Sequence, residues 1–252
     1  MGICRDNEMN CEWYEDWFDS KYYHILYGNR NAAEAEAFVD KLIDFLHPDK
    51  KARIHDLCCG KGRHSVYLSR KGFEVTGTDL SSESIQYAKQ FENNSLSFFV
   101  NDMRRIIRVN YFDCVFNLFT SFGYFKSDKD NEDVLKAVYT SLKPGGVFVL
   151  DFLNSEKMRS TLVGKETKEA EGIVFHIAKR LEPGFFVKEI RFSDGGKEFK
   201  FIERVRTFSK ADFKTLFSIT GFHILHLKGD YQLHDFDEKT SDRLIVIAEK
   251  RG

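Results

Sequence analysis

The sequence has no excess of either charge, no long apolar run and no patterned cysteines. Lys and Arg number 38 against 39 Asp and Glu, for a formal net charge of -1. No whole-protein field therefore draws the chain to nucleic acid or anionic lipid, and neither a nucleic-acid nor a membrane partner is expected. The one basic run, MRRIIRVN at 103–110, is short and mixed with apolar residues. It reads as a solvated helix or loop face rather than a phosphate-binding patch. No stretch approaches the ~20 apolar residues of a membrane span. The leading MGICRDNEMNCEWYEDW carries several acids and no apolar block, unlike a signal peptide. Asp6 stands where a myristoylation motif wants Ser or Thr. A cytoplasmic location is the expectation.

The five cysteines, Cys4, Cys11, Cys58, Cys59 and Cys114, form no CxxC and have no His at finger-like spacing, which suits a reducing compartment. Adjacent side chains on a strand point to opposite faces, so Cys58 and Cys59 are poorly placed to ligate one ion. No metal is expected, and the pair reads as small side chains filling a turn. There is no internal repeat and no low-complexity segment.

What is present is a regular change of hydrophobic period. With 252 residues and a 42% hydrophobic share, the chain can form one large domain, or one domain with an insertion. Phe38, Leu42, Phe45 and Leu46 fall on one face of a helix over 32–47 that Pro48 stops. RIHDLC (53–58) reads as a strand entering a glycine turn, followed by a helix that Gly72 closes. The strand FEVTGTDLS (73–81) precedes a helix capped by Ser81 or Ser82. The alternation continues through 96–102, 111–119, a helix near 130–142, and 145–154. Strands separated by such helices call for a parallel sheet covered on both faces.

After Asn154 the period becomes two, broken by turn signals at Glu182-Pro183-Gly184 and Asp194-Gly195-Gly196. A three-stranded antiparallel meander inserted over 155–208 is the simplest account. Ser209 then caps a helix ended by Gly221, and FHILHLKG and RLIVIAEK finish the sheet. The expected fold is α/β: a doubly wound, seven-stranded, mostly parallel sheet with a small antiparallel β insertion. The expected division is an N-terminal helical cap over 1–50, a nucleotide-binding domain over 51–154 and 209–252, and a lid over 155–208.

The glycine turn DLCCGKGRHS (56–65) joins a strand to a helix start, presenting backbone N–H groups and a positive dipole end to a nucleotide-like ligand. A side chain at Gly60 or Gly62 would hold that ligand off the backbone. Asp79, at the end of the second strand, can accept both hydroxyl protons of a ribose. A dinucleotide fingerprint would need Gly or Ala three residues beyond Gly62, where Ser65 stands, and Asp56 suits a cationic ligand better than pyrophosphate.

These residues resemble the class I S-adenosylmethionine-dependent methyltransferases. HDLCCGKGRHS is similar to their first motif, VTGTDLS to their second-strand acid, NDMR to the adenine-side segment, and LKPGGVFVLDF to the approach to the fifth strand. The likeness is close over 53–154 and looser over the closing helix and strands. Within the family it is similar to small-molecule enzymes with an N-terminal helical cap and a β lid. One departure is Cys58, where Gly or Ala is usual.

The resemblance implies S-adenosyl-L-methionine as cofactor, S-adenosyl-L-homocysteine as product, and a small-molecule methyl acceptor. It implies that the backbone at Asp56, Cys58 and Gly60, with Gly62 closing the turn, faces the methionine and ribose. Asp79 then binds the ribose diol, Leu80 lies against adenine, Asp102 meets the adenine amino group, Met103 packs on the ring, and Asn117 and Leu118 line the methionine side. Asp102 reads alternatively as a helix cap, and Leu80 and Met103 as core.

The aromatic segment WYEDWFDSKYYHILYGNRN offers Tyr22, Tyr23, Tyr27 and Arg30 as cap residues: tyrosine faces for the sulfonium, and Arg30 for the methionine carboxylate. It also reads as an amphipathic helix docking on a core. Phe119, Phe122, Tyr124 and Phe125 follow the fourth strand and could wall the acceptor, or simply pack. Methyl transfer from a sulfonium is an in-line displacement whose demands are alignment and exclusion of water. If the acceptor needs a base, His64, Tyr124 and His234 are the catalytic candidates, with His176 and Tyr231 nearby. Two other readings remain open: an NAD-dependent oxidoreductase, and a non-catalytic protein that binds S-adenosylmethionine. A monomer or homodimer is the expectation.

Overall fold

A computed structural model of the chain describes residues 13–28 and 32–252. Three helices lead: α1 (Trp13–Phe18), α2 (Lys21–Tyr27) and α3 (Ala32–Leu46). Then follow β1 (Arg53–Leu57), α4 (Arg63–Arg70), β2 (Glu74–Asp79), α5 (Ser82–Ala88), β3 (Leu96–Val100), β4 (Phe112–Asn117), α6 (Asp128–Ser141), β5 (Leu142–Leu153) and α7 (Ser155–Thr161). The strands β6 (Lys165–Ala170), β7 (Ile173–Glu182), β8 (Phe185–Asp194) and β9 (Lys197–Arg206) come next, and α8 (Lys210–Ile219), β10 (Phe222–Lys228) and β11 (Arg243–Lys250) close the chain.

The residues separate into two units, one of 31–158 with 208–252, the other of the described residues before 29 with 159–207. The span 1–50, read from sequence as one cap, is thereby divided. α3 belongs with the larger unit, where Phe38, Val39 and Leu42 join its core, and α1 and α2 belong with the smaller.

In the larger unit seven strands lie in the order β10-β11-β5-β4-β1-β2-β3. β11 runs antiparallel to both neighbours, and all other pairs are parallel. β1, β4 and the stretch 148–152 of β5 are almost wholly buried because helices cover both faces. Phe98, Phe116, Val149, Ile245 and Ile247 are fully buried in one cluster, each such side chain contributing roughly 1.5–3 kcal/mol by leaving water.

Helix starts follow local chemistry. Ser81 Oγ accepts the Ser84 amide at 3.0 Å, and Ser209 with Asp212 completes a capping box at α8. Gly72 and Gly221 follow α4 and α8 at φ 99° and 89°, a region costly for any side chain. The order of strands places the carboxyl ends of β1, β2 and β4 together, with the reversal of strand order between β1 and β4. Open α/β sheets bind ligands at that point.

The smaller unit holds a four-stranded antiparallel sheet, β6-β7-β8-β9, rather than the expected three strands. The additional strand, KETKEA, has no buried residue and so no alternating apolar signal. Backbone pairing to β7 makes it a strand. Asp194-Gly195-Gly196-Lys197 forms the expected tight turn, with φ 56° and 74° at the glycines. Trp17, Tyr22 and Leu26 pack on this sheet against Phe175, Ile177, Ile190 and Phe192. Among the described residues no helix is long and apolar enough to cross a membrane.

Candidate functional site

Asp56, the penultimate residue of β1, is flanked by β2 and β4 and is 2% exposed. Burial pushes its carboxyl up to about 6, although the Ser65 hydroxyl, 2.6 Å from Oδ2, opposes the shift. Ser65, which departs from the dinucleotide fingerprint, thus serves as a partner for the strand-end acid. Beyond Asp56 the chain turns through left-handed residues at Cys58 (φ 64°), Gly60 (φ 55°) and Gly62 (φ 82°).

The two glycines serve different ends. A Cβ on Gly60 would meet nothing within 4 Å, so this side of the turn is open to a ligand. A Cβ on Gly62 would stand 2.6 Å from the Phe98 ring, so Gly62 allows the turn to close on the core. Cys58 takes a left-handed conformation usually left to glycine, at a cost of about 1–2 kcal/mol. Its Sγ lies 3.7 Å from Met103 Sδ. Burial pushes the Cys58 and Cys59 thiols well up, so both stay protonated and inert.

Asp79 locks the turn. Its Oδ2 accepts the Gly60 amide at 2.8 Å and its Oδ1 the Ser81 amide at 2.9 Å. These two amides fix the plane of the carboxylate at the end of β2. Leu80 follows it, half-buried. Asn117 is fully buried at the end of β4. Its Nδ2 donates to the Leu57 carbonyl at 3.1 Å, while its Oδ1 has no hydrogen-bond partner among the described residues. Leu118 beside it is buried.

Asp102 is held by Arg104, whose Nε and Nη2 lie 3.0 and 2.6 Å from Oδ2 and whose amide meets Oδ1 at 2.9 Å. Burial works to raise this carboxyl, and the Arg104 donors outweigh it and hold it below the ordinary range. The cap-like alternative for Asp102 therefore has structural content, since the acid orders its own turn. Arg104 also reaches Asp130 at 3.0 Å, tying the basic run to the start of α6.

Around the end of β4 lies an aromatic group. His64, buried, stacks on Phe119 at 5.2 Å and 12°. Tyr231 approaches Phe119 at 5.1 Å and Phe38 at 4.5 Å, and the Arg63 guanidinium sits 4.6 Å over the Phe119 ring. Tyr124 donates its hydroxyl to the Thr120 carbonyl. Phe122 and Phe125 are buried rather than facing an opening. His234 is 77% exposed on its loop and paired with Asp230 at 2.7 Å, and His176 is exposed on β7.

Tyr22 and Tyr27 stand in the smaller unit. Tyr22 packs its ring 4.5 Å from Phe192 and 4.8 Å from Phe199 and donates its hydroxyl to Asp194 at 2.8 Å. Tyr27 donates to Glu203 at 2.7 Å and accepts from Lys188 at 2.6 Å. Packing against the β6–β9 sheet accounts for both. Arg30 lies outside the described residues.

Sequence reasoning missed Arg63, Asp151 and Arg243. The last two carried a signal, since a charge inside VFVLDFL and another heading RLIVIAEK sit on apolar strands that must bury them together.

Residues 54–146 match the profile of a family described as Methyltransferase domain. The chain carries a class I S-adenosylmethionine-dependent methyltransferase domain. The match fits the sheet order and the strand-end acid, and sets aside the dinucleotide-dependent reading. Two relatives of the methyltransferase span most of its length. A glycine/sarcosine N-methyltransferase of Halorhodospira halochloris is 26% identical over 98% of this chain and 92% of its own. The dTDP-3-amino-3,4,6-trideoxy-alpha-D-glucopyranose N,N-dimethyltransferase of Streptomyces venezuelae is 24% identical over 82% and 91%. In fold, the solved S-adenosylmethionine-dependent methyltransferase from Clostridium acetobutylicum superposes with a TM-score of 0.75 at 21% identity, covering 92% of this chain and 96% of that one.

The residues present fit the cofactor. A carboxylate fixed at the end of β2 suits a ribose diol, the open side of Gly60 admits the ligand to the backbone, and the orphaned Asn117 Oδ1 calls for a donor such as an ammonium.

Proposed function

We propose that this methyltransferase methylates the nitrogen of a small amine. When bound, S-adenosylmethionine supplies a methyl group already activated on a sulfonium. Asp79 holds the ribose, Asn117 Oδ1 accepts from the methionine ammonium, and Leu80, Asp102 and Met103 surround the adenine. The aromatic group of Phe38, His64, Phe119 and Tyr231 excludes water from the end of β4. The in-line displacement then asks of the chain only that it align an acceptor whose lone pair is free.

The observation that carries the amine reading is the state of Tyr231. Burial, with Asp151 nearby, pushes its phenol far above the ordinary range, so it is a proton donor and no base. The Cys58 thiol is likewise pushed up, and His64 is buried in a stack. A hydroxyl acceptor needs a base close to its oxygen, whereas an amine arrives with its own lone pair once deprotonated by solvent. Both relatives described above are named as N-methyltransferases, one acting on glycine and sarcosine and one on an amino sugar.

The test is a panel of glycine, sarcosine, amino sugars, sugar hydroxyls and phenols with labelled S-adenosylmethionine, read by mass spectrometry. N-methyl product is expected, with a rate rising toward the acceptor amine's own pKa. Products methylated only at oxygen or carbon overturn the reading.

A further inference from the structure

The charged pair beneath the loop after β4 lies outside the residues assigned to the cofactor. Asp151, on β5, is fully buried, and Arg243, heading the neighbouring strand β11, donates from Nε to its Oδ1 at 2.8 Å. A buried ion pair does little for stability unless its remaining donors and acceptors are satisfied. Here one short segment supplies further partners to both side chains. Asp151 Oδ2 accepts the Phe119 amide at 2.7 Å, the Asp151 carbonyl accepts the Thr120 amide at 3.0 Å, and Arg243 Nη2 donates to Thr120 Oγ1 at 2.7 Å.

That segment is strained. Phe119 and Thr120 are both left-handed, at φ 59° and 61°, and a β-branched residue there is a genuine outlier. Such strain persists only where surrounding contacts over-determine it, and it concentrates at functional sites. The three contacts from Asp151 and Arg243 are what over-determine it. The turn aims the Phe119 ring into the group formed by Arg63, His64 and Tyr231, at the sheet end assigned to the cofactor.

We propose that Asp151 and Arg243 are positioning residues. Their pair holds Phe119 and Thr120 in the left-handed turn and so sets Phe119 as a fixed wall of the methyl-transfer site. This rests on the methyltransferase assignment and does not require the acceptor to be an amine.

The first test uses the full chain with S-adenosylhomocysteine bound. In Arg243→Met, amide exchange over 118–126 is expected to quicken at least tenfold, while the S-adenosylhomocysteine Kd stays within twofold. Thr120→Val leaves the ion pair intact and removes only the hydroxyl contact, and should shift the same amides in the same direction by less. Unchanged exchange in both variants overturns the proposal, as does a loss of protection spread evenly over β5 and β11. A parallel loss of S-adenosylhomocysteine affinity also overturns it, because the pair then props the cofactor half. The second readout is methyl transfer to sarcosine, where kcat should fall at least tenfold in Arg243→Met with KM for S-adenosylmethionine little changed. A wild-type protein that methylates no amine counts against the amine reading alone, and the exchange result still decides this one.

Discussion

Asp79 and Gly60 are bound to each other, carboxylate Oδ2 to backbone amide, at 2.8 Å. The residue assigned to the sugar therefore also shapes the turn assigned to the rest of the ligand, and the two functions cannot be mutated apart. Asp79→Asn turns one acceptor oxygen into a donor facing another donor. S-adenosylhomocysteine affinity is expected to fall more than tenfold by calorimetry, and an unaltered Kd would remove Asp79 from the sugar site.

Gly60 and Gly62 should separate by experiment. Gly62→Ala places a Cβ at 2.6 Å from Phe98 in a left-handed residue, a combination expected to cost roughly 3 kcal/mol. Gly60→Ala meets only the backbone cost, about 1 kcal/mol, and should instead weaken S-adenosylhomocysteine. Urea unfolding of the two variants checks the order, and equal losses of stability would contradict it.

Arg63 opens α4 with its guanidinium over Phe119, at the end of β4 where Asn117 and Leu118 lie. The proposed cofactor site would give it the methionine carboxylate. Arg63→Met should weaken S-adenosylhomocysteine at least tenfold and leave 5′-methylthioadenosine, which lacks the amino-acid part, within twofold. Equal effects on both ligands would mean that the substitution disturbs the turn as a whole.

Asp56 gives stability a definite pH dependence. Its folded carboxyl titrates at about 6 against an ordinary value of 3.8, with burial as the main cause. Between those values the native state binds more protons than the unfolded one. Its contribution is intact below about pH 4 and is lost as pH rises through 6, by about 3 kcal/mol at most. In Asp56→Asn that part of the slope should vanish from denaturant midpoints taken between pH 4 and 7. A slope identical to wild type would mean that Asp56 is not the group responsible.

Much of the fold is legible along the chain because its signals are local. Pro48 after an apolar helical face, Ser81 and Ser209 ahead of helices, and paired glycines between alternating strands each act within a few residues. β6 was not legible, since a charged strand with no buried residue has no pattern of its own and exists through its neighbour. The cap aromatics were legible as an amphipathic surface, but not as to which surface they cover. Tyr22 and Tyr27 meet Phe192, Asp194 and Glu203, more than 160 residues away in sequence.

The sequence by itself determined the alternation of strand and helix, the glycine turn and the acid that ends the second strand, because periodicity, capping and left-handed turns are properties of short stretches. Only the tertiary structure decided that Ser65 serves Asp56, that Gly62 answers to Phe98, and that Asp151 finds Arg243 across 92 residues. A buried charge or a close backbone approach is defined by what the fold brings opposite it, and no neighbouring residue carries that information.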